Sequence, residues 1–142
     1  MATVKQILDR KGYQVWTITA DKTVFEALRL MGEQGIGALA VTANDTLTGI
    51  LSERDYARKV VLKGKTSRET LVGEIMTSPV LFVHPEQSVT ECMAIMTAKR
   101  IRHLPVLENG ALIGMISQGD LVKFIIEEQQ FIIDQLETYI AR

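Results

Sequence analysis

Gly49-Ile50-Leu51-Ser52-Glu53-Arg54-Asp55 recurs 65 residues later as Gly114-Met115-Ile116-Ser117-Gln118-Gly119-Asp120. In both stretches an apolar run ends in a serine and an aspartate follows three residues on, the pattern of a buried strand handing over to a helix N-terminus. Two readings of Ser-x-x-Asp are open. In one, the serine caps the helix and the acid sits favourably in its first turn. In the other, the free N–H groups of the helix end take an anion, and the nearby carboxylate accepts hydrogen bonds from ribose hydroxyls. The surroundings matter because the match extends well beyond the seven residues. Sliding residues 15–60 onto 80–125 needs no gap and leaves 12 of 46 positions identical, where unrelated segments share roughly 3 by composition. The chain is internally duplicated.

Read in order, Val4-Lys5-Gln6-Ile7-Leu8 forms a short amphipathic helix that breaks at Lys11-Gly12, and Val15 to Ile18 reads as a strand. Asp21 or Thr23 caps a helix whose apolar residues Val24, Ala27, Leu28 and Met31 share one face, and Gly35 ends it. Ala38 to Thr42 and Leu47 to Ser52 make a hairpin turning at Asn44-Asp45, and a helix runs from Ser52 to about Leu62. Lys63 to Arg68 carries three positive charges and reads as an exposed connector. The order then restarts. Val72-Gly73-Glu74-Ile75-Met76 echoes the opening helix, Val80 to Val83 is the strand, and Val89, Cys92, Met93 and Met96 repeat the helical stripe. The second hairpin, His103 to Leu107 and Ala111 to Ser117, turns at Asn109-Gly110, a strong type I′ signal. Two sheet-plus-helix units, each too small to bury its apolar face alone, are expected to pack sheet to sheet about a pseudo-twofold axis and leave two related clefts.

Composition narrows the function. At 142 residues and 46% hydrophobic the chain suits one compact domain or two halves sharing a core. A net charge of −1 offers no general attraction to nucleic acid or an acidic membrane. One cysteine, Cys92, excludes an internal disulfide and fits a reducing compartment, and short apolar runs without a leader pattern give a cytoplasmic expectation. Two separated histidines and that cysteine make no metal set, and no nucleophile–base or paired-carboxylate arrangement suggests an enzyme.

Taken together, Ile101-Arg102-His103-Leu104-Pro105-Val106, Leu112 to Asp120, the duplicate Gly49 to Asp55, and Gly73-Glu74-Ile75-Met76-Thr77 resemble a tandem pair of cystathionine-β-synthase-type (CBS) domains, a Bateman module. The resemblance covers Val4 to about Ile126. It implies an α/β (α+β) fold of two β-α-β-β-α repeats, repeat 1 over 1–66 and repeat 2 over 67–126, followed by a C-terminal helix over 127–142. It also implies regulatory binding of adenine nucleotides (AMP, ADP, ATP or NAD), a homodimer, and a regulated protein that the sequence does not name.

The resemblance further implies clefts in which the base lies against one repeat and the ribose-holding aspartate comes from the other. One cleft then uses Val15, Trp16, Ile36, Gly37 and Ala38 with Ser117 and Asp120. The other uses Thr77, Val80, Leu81, Ile101, Arg102 and His103 with Ser52 and Asp55, and Arg54 joins Arg102 and His103 as a phosphate candidate. Each has a plain alternative: Trp16 as core packing, Arg102-His103 as a strand-edge surface pair. Because Gly37 and Ala38 stand where the second copy has Arg102 and His103, the Asp120 cleft is expected to have more room and fewer cations. It would suit a larger ligand such as NAD, and the Asp55 cleft AMP. At about 0.3 kcal/mol per heavy atom, a mononucleotide of roughly 23 atoms binds near −7 kcal/mol, about ten micromolar. Two rivals stand beside this reading, a dimerisation scaffold without ligand and an enzyme.

From Leu121 onward no glycine or proline interrupts a helix of about 20 residues, and Phe124-Ile125-Ile126 recurs as Phe131-Ile132-Ile133. So broad an apolar band calls for a covering subunit.

Overall fold

A computed structural model describes residues 1–141. The elements run α1 (Val4–Lys11), β1 (Thr17–Ile18), α2 (Val24–Gln34), β2 (Ala38–Ala43), β3 (Thr46–Ser52), α3 (Glu53–Lys59), α4 (Val72–Ile75), α5 (Val89–Lys99), β4 (His103–Glu108), β5 (Ala111–Ser117) and α6 (Gln118–Ala141). β1 lies parallel to β2, which pairs antiparallel with β3, and β4 pairs antiparallel with β5. Both hairpins turn where expected, with Asn44, Asp45, Asn109 and Gly110 all at positive φ. β3 and β5 meet across the centre of the molecule.

The short helix preceding each copy packs on the other copy. Val4, Ile7 and Leu8 of α1 join a core with Val89, Cys92, Leu104, Val106, Ile116 and Leu121, whereas Val72 and Ile75 of α4 join Val24, Met31, Leu39 and Leu51. The crossing is fixed by matched backbone bonds, Val4 N–H to Gln87 C=O (2.9 Å) and Val89 N–H to Ala2 C=O (3.0 Å), mirrored by Val72 N–H to Lys22 C=O and Val24 N–H to Thr70 C=O (both 2.8 Å). Gly49 and Gly114 let each helix lie flush. A Cβ on Gly114 would stand 2.8 Å from Leu8 Cδ2, and one on Gly49 would stand 2.5 Å from Met76 Sδ.

Three expectations need correction. Val80 to Val83 is not a strand: only Val83 bridges, to Val106. In the first copy Ala40 N–H donates to Trp16 C=O at 3.2 Å, but its counterpart in the second copy is Pro105, which has no N–H to give. β1 is likewise only Thr17–Ile18, so Val15 and Trp16 precede it. The helix from Ser52 stops at Lys59, where fully buried Val60 turns into the core ahead of a 3-10 turn over Val61–Lys63. The connector is exposed as expected, with only Ser67 half-buried, yet it is docked: Ser67 C=O accepts Phe25 N–H (2.9 Å) and the Arg68 guanidinium lies 3.8 Å from the Phe25 ring centre, closing the N-terminus of α2.

α6 begins at Gln118 and is 24 residues long. Its first turns are buried through Leu121 and Phe124, and Arg10 stacks 4.5 Å over Phe124 while bridging Glu127 and Glu128. From residue 129 to 141 every residue is exposed. Among the described residues no helix is long and apolar enough to cross a membrane.

Candidate functional site

The two Ser-x-x-Asp stretches end β3 and β5, and in both the capping reading holds. Asp55 N–H donates to Ser52 Oγ (3.2 Å) while Asp55 Oδ2 accepts Ser52 N–H (2.9 Å). Asp120 N–H donates to Ser117 Oγ (3.0 Å) while Asp120 Oδ2 accepts Ser117 N–H (2.8 Å). These reciprocal bonds fix each carboxylate at the mouth of a helix. A fixed carboxylate retains lone pairs for a ligand, so capping and ribose binding are compatible.

A cavity of about 410 Å³ opens beside Asp55. The start of α3 supplies Ser52, Glu53, Arg54, Asp55 and Arg58; the segment after α4 supplies Thr77, Pro79 and Leu81; and the entry to β4 supplies Arg100, Ile101, Arg102 and His103. Of the residues expected here only Val80 is missing from the lining, and it is half-buried. Asp55 is largely covered, its side chain 13% exposed, with Lys59 Nζ 3.1 Å from Oδ1 from its own helix and Thr77 Oγ1 at 3.5 Å. Arg54 reaches across to donate to Arg100 C=O at 2.8 Å, closing the end of α5. Arg58, Arg100 and Arg102 form no ion pair among the described residues. Ile50, Leu81 and Ile101 give the cavity an apolar wall of the kind a planar base requires.

The second cavity, about 260 Å³, is lined by all seven residues expected with Asp120: Val15, Trp16, Ile36, Gly37, Ala38, Ser117 and Asp120. It is the smaller of the two, against the expectation of more room. His103 lines both cavities and fills the space over Gly37, whose absent Cβ would lie 3.6 Å from the imidazole. It does hold fewer cations, as expected: beside the shared His103 it has Lys11, whose Nζ lies 2.7 Å from Asp120 Oδ2, where the Asp55 cavity has Arg54, Arg58, Arg100 and Arg102. Burial alone would raise the Asp120 pKa, but the Lys11 ammonium and the Ser117 N–H together bring it below the usual carboxylate value. Burial also pushes the His103 imidazole below its ordinary value; Asp120 opposes this, and Lys11, Arg102 and Arg54 add to it.

The family model described as CBS domain matches residues 4–62 and again 72–127. The chain belongs to the CBS domain family. The mitochondrial CBS domain-containing protein CBSX3 of Arabidopsis thaliana is 37% identical over 148 residues, covering 97% of this chain and 71% of that protein. Among solved structures, a protein with CBS domains from Burkholderia ambifaria MC40-6 shares 54% identity at a TM-score of 0.88, covering 90% of this chain and 96% of that one. The CBS domain pair of protein MJ0100, in complex with 5′-methylthioadenosine and S-adenosyl-L-methionine, superposes with a TM-score of 0.81 over 90% of this chain and 98% of that one; at 22% identity it shares the fold.

Sequence reasoning about this CBS pair missed Arg58, Arg100 and Lys11. Arg100 carried a readable signal: it stands where the first copy has Gly35, and both occupy the left-handed C-cap, at φ 54 and 64. A non-glycine residue at that position is uncommon, and an arginine there directs a cation toward the cavity mouth. Arg58 lies one turn beyond Arg54 and was legible once the helix start was known. Lys11 could not be found by comparing copies, because α1 continues for eight residues where α4 ends after four.

Proposed function

We propose that the protein is a regulatory module that binds an adenosine-containing mononucleotide, AMP foremost, in the Asp55 cleft. The observation that carries the reading is that three guanidinium groups without carboxylate partners among the described residues, Arg58, Arg100 and Arg102, line one cavity with a fixed aspartate. Phosphate suits the guanidiniums, which present planar pairs of donors. The two ribose hydroxyls suit Asp55, and the base suits the Ile50, Leu81 and Ile101 wall. A volume of about 410 Å³ falls among small-molecule sites and favours a mononucleotide over ADP, ATP or NAD. The adenosine ligands of the MJ0100 pair, which shares this fold, support adenosine as the nucleoside. Occupancy ties α3 of one copy to β4 of the other, so ligand binding stiffens the joint between copies and is available for a regulated partner to sense.

The homodimer belongs to the same proposal. Phe131, Ile132, Leu136, Tyr139 and Ile140 are each 56–78% exposed on α6 beyond the body, and a second copy offers the same apolar surface in return.

Calorimetric titration of AMP, ADP, ATP and NAD into the purified protein tests the reading. AMP is expected to bind at about ten micromolar, more tightly than the other three. The scaffold alternative is favoured if none of them raises the melting temperature at a hundredfold excess over that constant, where binding adds about 2.7 kcal/mol.

A further inference from the structure

We infer that Lys11 locks the Asp120 cleft against ribose, so that the protein takes nucleotide at Asp55 alone until Lys11 is displaced. The inference rests on the nucleotide reading of the Asp55 cleft. Lys11 Nζ donates to Asp120 Oδ2 at 2.7 Å and to Met115 C=O at 2.8 Å, and its side chain lines the cavity in which a ribose would have to reach that carboxylate. The same oxygen already accepts Ser117 N–H. With both donors on it, Oδ2 has no lone pair left for a hydroxyl, and a ribose is left Oδ1 alone, so it cannot bridge the carboxylate with both hydroxyls.

The asymmetry between the copies explains why only one cleft is locked. Thr77, just after α4, leaves the helix and exchanges backbone bonds with Ile50 (2.8 and 3.1 Å). Met115 is the counterpart of Ile50, but α1 stays helical through Lys11, and the Met115 carbonyl receives the lysine ammonium instead. Aligning the two short helices sets Lys11 against Pro79, a side chain with no charge and no donor. Asp55 does have a lysine neighbour, Lys59, but it approaches from one turn along the same helix, is tied to Ile75 C=O at 2.9 Å, and does not line the cavity. Ser52 Oγ (3.1 Å) and Thr77 Oγ1 (3.5 Å) also reach the Asp55 carboxylate from the cavity wall, but both are neutral hydroxyls that can turn to a ligand, whereas the Lys11 ammonium is a charge held inside the Asp120 cavity.

Lys11 is also held in place rather than draped over the surface. It ends a helix whose Val4 and Leu8 are fully buried and whose Leu8 methyls lie against Gly114, and the Lys11–Asp120 pair is itself partly shielded from water. A ribose entering this cleft has to break a charge-assisted contact that the protein makes with itself, which lowers its affinity roughly ten- to a hundredfold relative to an unlocked cleft.

The test counts bound AMP per chain by equilibrium dialysis of the full-length protein at about a tenfold excess of free AMP over the Asp55 constant. Wild type is expected to hold about 1.0–1.4 AMP per chain, for a cleft weakened a hundredfold to tenfold, and Lys11→Met or Lys11→Gln about 1.8. Adding Asp120→Asn to Lys11→Met returns the count to one, which assigns the new site to this cleft. The two Lys11 variants guard against one of them failing to fold, and a cooperative thermal melt verifies each. Two AMP per wild-type chain overturns the lock, as does one AMP in wild type and in folded Lys11 variants alike. No AMP in any protein overturns the nucleotide reading, and the lock with it.

Discussion

Asp55 caps α3 and, in the proposed reading, holds the ribose, and the two roles decide how it should be tested. Its carboxylate completes the cap of α3 through Ser52, so Asp55→Ala would remove a structural bond worth about 1 kcal/mol together with any ligand contact. An exposed first-turn acid could be cut back at little cost, but this one is largely covered. Asp55→Asn keeps an oxygen acceptor and the side-chain shape while removing the charge. It is expected to weaken AMP binding up to about a hundredfold, from losing roughly 3 kcal/mol of charge-assisted contact, with the melting temperature nearly retained. Calorimetry beside a thermal melt separates the two, and unchanged affinity would take the ribose away from Asp55. His103 gives a pH signature. Its imidazole is held below the ordinary 6.5 mainly by burial, so it is neutral in the free protein at neutral pH. A nearby phosphate dianion favours the imidazolium, so binding takes up a proton and AMP affinity should rise as pH falls from about 7.5 toward 6, by at most tenfold per unit. His103→Gln should flatten that slope. In the absence of ligand the sign is opposite: a neutral, partly buried His103 contributes stability above pH 6.5, and this is lost as pH falls through its lowered value.

At the scale of elements, the two short helices and the glycines beneath them hold the copies together. Gly114→Ala places a methyl against Leu8, which is fully buried and cannot move aside, and should cost about 1–3 kcal/mol. Gly49→Ala meets Met76, a flexible and only half-buried side chain, and should cost less. Urea melts of the two variants compare these costs directly; equal losses would show that burial of the opposing side chain is not what decides. These elements also show what the sequence could and could not convey. Helix faces, hairpins and caps were legible because each is set by residues within one or two turns: Thr23 before α2, Asn109-Gly110 between β4 and β5. The strand expected at Val80 to Val83 fails for a reason 25 residues away from Val80, where Pro105 withholds a donor. The crossing of α1 and α4 onto opposite copies was not legible either, because periodicity tells which face is buried and not against what.

For the whole molecule, duplication predicted two clefts, and the structure brings together the residues expected around each, apart from Val80. Their relative size was misjudged because comparing Gly37-Ala38 with Arg102-His103 assigned His103 to the Asp55 cleft alone. His103 in fact reaches both cavities, and Lys11 enters from α1. Assembly is a separate question at this scale. Deleting residues 129–142 removes the exposed apolar length of α6 while sparing Leu121, Phe124 and the Arg10 contacts, so the body should stay folded and lose its partner. Sedimentation is expected to show a dimer becoming a monomer; an unchanged dimer would transfer the interface to another face. The central claim, an adenine mononucleotide seated between the copies at Asp55, is tested most directly by following backbone amide resonances during an AMP titration. The account predicts saturating shifts concentrated at Ser52 to Asp55, Thr77 and Arg100 to His103. Shifts confined to other surfaces, or none at millimolar AMP, would contradict it.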